Sequence, residues 1–311
     1  MTLGSGSSFI GNLLAYASVT TVSGTAVTGR LLALTGAVTL DTNNVTSPGL
    51  SPGPTPTPTA SPTPSATPTP VPSPAQLLNI STRLKVLTDN TVSIAGFIIT
   101  GNASKKVIVR GIGPSLSGLS PVLADPVLEL HAADGSLIVT NDNWKDSQQT
   151  EIQNTSLAPS SDLESAIVAT LPPANYTAIL RGKNGTTGIG LVEMYDLDLG
   201  TDSKLANIST RGFVQTGNDV MIAGFIFGNG AAPEKAVIRA IGPSLPNIPD
   251  ALADPTLDLR DANGALLVSN DNWKDDAAQA AELTANGMAP QNDLESAIIT
   301  TVPPGQYTAI V

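Results

Sequence analysis

The sequence predicts an all-β protein, and three observations lead to this class. Short runs alternate apolar and polar residues, as at 127–131 and 256–260, and a period of two places one apolar face of a strand against a core. Gly, Asn, Asp and Pro cluster between these runs, as they do in turns. A single short stretch, 276–285, has the composition of a helix, so strands are expected to predominate.

Composition argues against several classes of function. The 311 residues include no Cys and one His, which rules out disulfides, thiolate catalysis, Cys-ligated zinc or iron–sulfur sites and multi-His metal sites. The net charge of −11 argues against nucleic acid and anionic membranes as partners, because both attract a basic surface. No apolar run reaches the ~18 residues that a membrane helix needs, so we expect no membrane insertion.

Residues 47–74 form a linker by composition. They include 11 prolines and no charged residue, so they cannot bury a core and we expect no folded domain. Alternating Pro and Thr favour polyproline II, which extends ~3.1 Å per residue and would make this disordered Pro/Thr-rich linker a semi-rigid spacer of roughly 90 Å.

Residues 75–311 contain a tandem repeat. Five segments return with an offset that drifts only from 128 to 131 residues: 79–83 at 207–211, 95–98 at 223–226, 112–116 at 241–245, 141–146 at 270–275, and 162–167 at 293–298. At this period each copy is a domain rather than a solenoid unit. We therefore predict copy one at 75–200 and copy two at 201–311.

Each copy has seven or eight strand signals, which predict an antiparallel, jelly-roll-like sandwich of two sheets. Asp134-Gly135 predicts a hairpin turn, and a second hairpin is predicted between 165–171 and 176–181. Asp275 is predicted to cap the helix at 276–285. Copy two ends at Val311, so we expect it to lack a counterpart of the strand predicted at 189–197 and to be frayed.

Residues 1–46 carry two charges, Arg30 and Asp41, and two aromatic residues. Such a segment is too short for an independent core, and its strand signals are separated by Gly and Ser turns. This pattern favours the last coils of a larger β-solenoid. No basic stretch followed by an apolar run and a cleavage site precedes residue 20, so we predict no signal peptide in this chain.

Segments 6–15, 24–33 and 36–40 resemble the C-terminal end of the microbial ice-binding proteins that have a discontinuous β-solenoid. The resemblance implies ice as the partner and an extracellular or cell-surface location in a bacterium. The stretch 25–28 (Thr-Ala-Val-Thr) is similar to a motif on the ice-facing strands of that family. The candidate ice-binding hydroxyls are therefore Thr20, Thr25, Thr28 and Thr39, although β-branched Thr also simply suits a strand.

The repeats are similar to the pre-peptidase C-terminal β-sandwich. This resemblance covers most of 77–311 but rests on strands and turns, so it implies a fold more than a function. Two hypotheses follow. In the first, the chain is a non-enzymatic extracellular protein, and its repeats are spacers or weak adhesion units for a surface or polysaccharide. In the second, the repeats are accessory binding modules of a secreted hydrolase whose catalytic domain is not in this chain.

Two further sets of residues recur in the repeats. Acidic loop residues suggest a calcium site, since Ca²⁺ prefers oxygen ligands. Turns and helix caps explain the same residues equally well. The residues are Asp125, Asp142, Asp146, Asp162 and Glu164 in copy one and Asp254, Asp271, Asp275, Asp293 and Glu295 in copy two. Trp144 and Trp273 are candidates for stacking on a sugar ring or for packing inside the domain. No other cofactor is predicted.

Overall fold

The computed structural model describes residues 1–47 and 72–311. The predicted spacer therefore lies largely outside the described residues. The chain divides into two compact units, residues 1–69 and 70–311. The described residues of both units are built mainly from β-strands, which confirms the all-β prediction.

Residues 1–47 of unit 1 form six strands: β1 (Thr2–Leu3), β2 (Ser8–Ala15), β3 (Val19–Thr21), β4 (Ala26–Ala33), β5 (Val38–Leu40) and β6 (Asn44–Thr46). They form two parallel sheets, ordered β1-β3-β5 and β2-β4-β6. Residues paired on neighbouring strands, such as Ser8 with Ala26, are 18 or 19 positions apart in the sequence. Each coil of about this length thus adds one strand to each sheet.

Residues 72–311 of unit 2 form fifteen strands and two short α-helices, besides three single turns of 3-10 helix: β7 (Gln76–Val86), β8 (Ser93–Thr100), β9 (Lys105–Ile112), β10 (Pro126–Ala132), β11 (Leu137–Asn141), α1 (Gln149–Asn154), β12 (Ser165–Leu171), β13 (Ala174–Gly182), β14 (Gly188–Asp196), β15 (Lys204–Arg211), β16 (Ile222–Gly228), β17 (Glu234–Ala240), β18 (Leu257–Asp261), β19 (Leu266–Asn270), α2 (Ala277–Ala285), β20 (Ser296–Val302) and β21 (Gly305–Ile310). All strand pairs among them are antiparallel, apart from isolated bridges.

Copy one is a sandwich of two sheets. Strands β12-β9-β14-β7 form one layer, and β11-β10-β13-β8 form the other. Alternate apolar side chains of both layers meet in a common core, which includes Val109, Ile167 and Met194 from the first layer and Leu128 and Leu180 from the second. Burying each such side chain contributes about 1.5–3 kcal/mol, so this core is the main source of stability in copy one.

Copy two repeats most of this plan. Strands β19-β18-β21-β16 form one layer and β20-β17 the other, with a core that includes Leu257, Leu259, Ile298 and Tyr307. The two copies also share strands. β7 pairs with β16 of copy two, and β15, the counterpart of β7, pairs with β8 of copy one.

The shared strands are related by an approximate two-fold symmetry. Thr82 and Thr210, which occupy the same position in the two copies, place their hydroxyl oxygens 2.8 Å apart. Gly96 lies against Ser209, and its counterpart Gly224 lies against Ser81, and in each case an added Cβ would come within 3.0 Å of the serine hydroxyl oxygen. The two copies are therefore joined by close backbone packing as well as by the chain.

Two sequence predictions need correction. The hairpin predicted between 165–171 and 176–181 does not form, because β12 pairs with β9 and β13 pairs with β8 and β10 in the opposite sheet. Pro172 and Pro173 have no backbone N–H to close a tight turn, and the chain crosses from one sheet to the other there. The helix α2 is capped by Asp276, not Asp275, through bonds from the N–H groups of Ala278 and Gln279.

Candidate functional site

A row of threonines lies on the outer surface of the β1-β3-β5 sheet. Thr2 pairs in register with Thr20, and Thr20 pairs with Thr39. Thr2 and Thr39 are exposed and Thr20 is half-buried, while the neighbours Val19 and Thr21 are 0% exposed. Because alternate residues of a strand point to opposite faces, the three hydroxyls share the outer face. We call Thr2, Thr20 and Thr39 the threonine row.

The spacing in the threonine row is set by backbone hydrogen bonding. Neighbouring strands of a sheet lie about 4.8 Å apart, so in-register threonines repeat their methyl and hydroxyl groups at that distance. The β1 and β3 strands are short, with two and three residues. The row is therefore narrow and three threonines long.

The structure separates the four threonines predicted from the sequence. Thr20 and Thr39 lie together in the threonine row, with Thr2, which sequence reasoning missed. Thr28 lies on the other sheet, paired in register with Ile10 and Thr46, and its hydroxyl is 3.3 Å from that of Thr46.

Thr25 is on neither surface. It is 1% exposed, and its hydroxyl donates to the carbonyl oxygens of Val22 at 2.7 Å and Gly4 at 3.0 Å. Thr25 occupies the turn before β4, where its hydroxyl satisfies buried backbone carbonyls of two coils. In the motif at 25–28, the Thr25 hydroxyl thus points into the coil and the Thr28 hydroxyl points outward.

The outer face of the β2-β4-β6 sheet has a different chemistry. Ile10 is 81% exposed, Leu14 75% and Leu32 50%, and Arg30 is also exposed on this face. Large apolar side chains and a charge make this surface irregular. Of the two outer faces of unit 1, the one that carries the threonine row is the more regular.

The acidic residues of the repeats are dispersed. Asp125 and Asp142 both contact Lys183 Nζ, at 3.4 and 2.6 Å, and Asp162 pairs with Lys145 as Asp293 pairs with Lys274. Within the two described ranges, no group of three or more acidic or histidine side chains is arranged to hold a metal ion. The calcium site therefore stays a prediction, and the positions of these acidic side chains do not support it.

Other members of the acidic set are engaged in their own loops or face water. Asp146 accepts a bond from the Asn143 amide at 3.0 Å, and Asp275 accepts from the amide of Asn272 at 3.4 Å. Asp254 and Asp271 are exposed. These contacts are typical of Asp and Asn in turns.

Glu164 and Glu295 are the fully buried members of the set. Each is 0% exposed, and each accepts hydrogen bonds from a glycine N–H and from the N–H and hydroxyl of a serine, at 2.6–3.1 Å. The donors are Gly113 and Ser115 in copy one and Gly242 and Ser244 in copy two. The carboxylate therefore fastens the Gly-Pro-Ser loop to the start of the β12 or β20 strand.

The environment of Glu295 makes it sensitive to acid. Burial alone would raise the pKa of Glu295, but hydrogen bonds from Ser244, Asn292 and Gly242 to the carboxylate lower the pKa below its usual 4.5. A carboxyl group with a lowered folded-state pKa stabilises the fold fully above the unfolded-state pKa. That contribution is lost as the pH falls through the lower folded-state value.

We expect Glu295→Gln to lower the free energy of unfolding at pH 7 by about 1–3 kcal/mol, because the N–H₂ group that replaces one carboxylate oxygen cannot accept the bond from the Asn292 N–H and the remaining bonds lose their charge. The variant should also lose stability less steeply as the pH falls below the usual carboxyl pKa of 4.5, because it has no carboxyl group at this position to protonate. Urea unfolding at several pH values measures both effects. Asp293→Asn is the matched control, since that side chain is 70% exposed and should change stability by less than about 1 kcal/mol. Equal effects of the two substitutions would contradict the role of Glu295.

Trp144 and Trp273 are packed inside their domains. They are 5% and 8% exposed, and their indole N–H groups donate to the carbonyls of Ser161 and Asn292, at 3.1 and 3.2 Å. Trp144 lies in a small cluster with Ile152 of α1. Their burial favours the packing role over sugar stacking, which needs an open ring face.

Comparison with known proteins gives one match to a family. Residues 1–46 match the model of the family described as Ice-binding-like. This match covers all six strands of unit 1, including the threonine row. No curated protein matches the chain. Among the described residues, no helix has the length and apolar character needed to cross a membrane.

Proposed function

We propose that this chain is a non-enzymatic ice-binding protein of the bacterial cell surface or exterior, and that the threonine row contacts ice. The observation that carries this proposal is the in-register placement of Thr2, Thr20 and Thr39 on one face of a segment similar to the Ice-binding-like family. A rigid sheet holds these groups at a fixed repeat. Ice can be recognised by such an array of methyl and hydroxyl groups without any chemical step.

The threonine row is supported by the coil interior. The Asn43 amide donates to the carbonyl oxygen of Thr21 at 3.1 Å, and its side-chain oxygen accepts from the Thr25 N–H at 3.0 Å. These bonds tie consecutive coils together just below the outer face. A surface that is held from inside loses little side-chain and backbone entropy on binding, which favours adsorption to a flat solid.

In this proposal the repeats of unit 2 are non-catalytic spacers or weak adhesion units. Two sandwiches joined by shared strands make a stiff module, and repeated modules gain avidity when each binds a surface weakly. The similarity of the repeats to pre-peptidase C-terminal modules fits a non-catalytic role of this kind.

We expect Thr20→Tyr to reduce incorporation of the full chain into growing ice several-fold. The bulky ring would stand above the middle of the threonine row and keep the neighbouring threonines from the ice surface. Thr28→Tyr is the matched control, because Thr28 lies on the other sheet and should keep the original incorporation. Ice-affinity partitioning of the full chain measures both variants.

Two outcomes would contradict the proposal. Loss of partitioning with Thr28→Tyr but not Thr20→Tyr would place the ice-binding face on the β2-β4-β6 sheet. No partitioning of the unmodified chain above that of a non-binding protein would end the assignment of ice as its partner.

A further inference from the structure

The two copies meet along a line at which equivalent positions face each other. Lys85 of copy one and Phe213 of copy two occupy the same position of the repeat, and they are paired in an isolated antiparallel bridge. In an interface of this kind, two identical copies would bring identical residues together. We call residues 82–85 and 210–213 the pairing seam. Differences between the copies along the pairing seam therefore decide which copies can pair.

One position of the pairing seam holds a large side chain in copy one and none in copy two. Leu84 is 1% exposed, and its counterpart is Gly212. A Cβ on Gly212 would lie 2.4 Å from Leu84 Cδ1, so the leucine fills the space that the glycine leaves open. Two repeats of the copy-one type would force two leucines into this space, which a packed interior does not accommodate without displacement.

The charge along the pairing seam is also unequal. Lys85 Nζ lies 2.8 Å from Asp219 Oδ2, and the counterpart of Asp219 in copy one is Thr91. Lys85 therefore finds an acidic partner in copy two and would find a threonine in a second repeat of the copy-one type. Such a pair would also place two lysines directly opposite each other, an arrangement that destabilises neighbouring strands.

The close contacts described above for the shared strands are the same in both directions. A glycine of each copy lies against a serine of the other copy, and two equivalent threonines face each other. These contacts would hold any two repeats together and do not distinguish one type from the other. Selectivity is thus left to the contact of Leu84 with Gly212 and to the ion pair of Lys85 with Asp219.

We propose that the pairing seam is a selective interface, through which copy one binds a repeat of the copy-two type and rejects a repeat of its own type. The accepted partner has a glycine opposite Leu84 and an acidic residue within reach of Lys85. The rejected partner meets a steric collision and a like charge at the same place. Interfaces that discriminate between similar partners commonly combine attraction with repulsion in this way. This selectivity is independent of the function proposed for unit 1.

Gly212→Leu in the full chain should drive the copies apart, because the new side chain collides with Leu84. Amides of β16 should then exchange hydrogen about tenfold faster, while those of β10 in copy one keep their protection. The double variant Leu84→Gly with Gly212→Leu removes the collision and should regain the protection of β16. Gly200→Leu is the matched control, since an added Cβ there meets only Asp198 Oδ1, at 4.0 Å. Unchanged exchange in Gly212→Leu, or no recovery in the double variant, would overturn the proposal.

A second experiment tests the rejection of like repeats directly. A protease site at the exposed Leu199 and Gly200 allows the folded chain to be cut between the copies. Native mass spectrometry after cutting and re-equilibration should show mixed complexes of one copy-one and one copy-two product, with pairs of copy-one products at less than about a tenth of that amount. Lys85→Asp should weaken the mixed complex several-fold, and Asp219→Lys added to it should restore the complex. Equal amounts of mixed and like pairs would overturn the proposal.

Discussion

Replacing Lys105 by alanine is expected to lower the free energy of unfolding of unit 2 by about 3–5 kcal/mol. The Lys105 ammonium is 0% exposed and lies 2.7 Å from Asp196 Oδ2 and 2.7 Å from the Asp198 carbonyl oxygen. The Asp196 side chain is 1% exposed. Removal of the cation leaves a buried carboxylate without its partner, and this loss is far larger than the value of the ion pair itself. Urea unfolding followed by tryptophan fluorescence measures the change.

Lys106→Ala is the matched control for this prediction. Lys106 is the next residue of β9, but its side chain is 42% exposed and its partner Glu151 is 44% exposed, so the change should be less than about 1 kcal/mol. A double variant, Lys105→Met with Asp196→Leu, should recover most of the lost stability, because an apolar pair needs no charge compensation. If Lys105→Ala were no worse than Lys106→Ala, the ion pair would not anchor the end of β14.

In unit 2, the sequence predicted the positions of strands and turns better than it predicted which strands pair with each other. The Asp134-Gly135 turn does join an antiparallel pair, β10 and β11, because Asp-Gly specifies a tight turn through local backbone preferences. The stretch at 165–181 has equally clear strand signals, but its strands join opposite sheets. Period-two patterning identifies the buried face of a strand and carries no information about which strand lies beside it.

The sharing of β7 and β15 between the copies was not predictable from the repeat. β7 of copy one and β15 of copy two contain the same five residues, Asn-Ile-Ser-Thr-Arg, at 79–83 and 207–211. A repeated sequence is compatible with pairing inside its own copy or with the other copy. The choice depends on contacts between residues about 128 positions apart, such as Thr82 with Thr210.

The sequence alone also could not predict which of the candidate ice-binding threonines share a surface. Thr20 and Thr39 were identified by residue type and strand position, and the register of the sheet brings them together. Thr2 was missed because β1 has only two residues, too few for a period to be visible. Thr25 was included because it belongs to a motif, yet its hydroxyl is needed inside the turn. Side-chain direction at the end of a strand follows from the turn, which a short motif does not specify.

A second large effect is expected in unit 1, where Gly29→Ala should destabilise the stacked coils by about 2–5 kcal/mol. Gly29 has a φ of +147° and pairs with Gly11, whose φ is +135°. A Cβ on Gly29 would lie 1.9 Å from the Gly11 carbonyl oxygen and 2.6 Å from its carbonyl carbon. The backbones of two consecutive coils approach so closely here that no side chain fits. Relief of the collision would push β4 away from β2 and break the pairing of the longest sheet of unit 1.

Hydrogen exchange of the full chain tests this prediction, because loss of protection should be confined to residues in β2 and β4 while unit 2 keeps its protection. Gly6→Ala is the matched control. Gly6 also has a positive φ, +68°, but an added Cβ would meet nothing within 4 Å, so only the backbone penalty of about 1 kcal/mol remains. Ice partitioning should fall with Gly29→Ala and persist with Gly6→Ala, since the threonine row depends on the coils beneath it. Equal exchange in the two variants would show that the close approach of Gly11 and Gly29 does not hold the coils together.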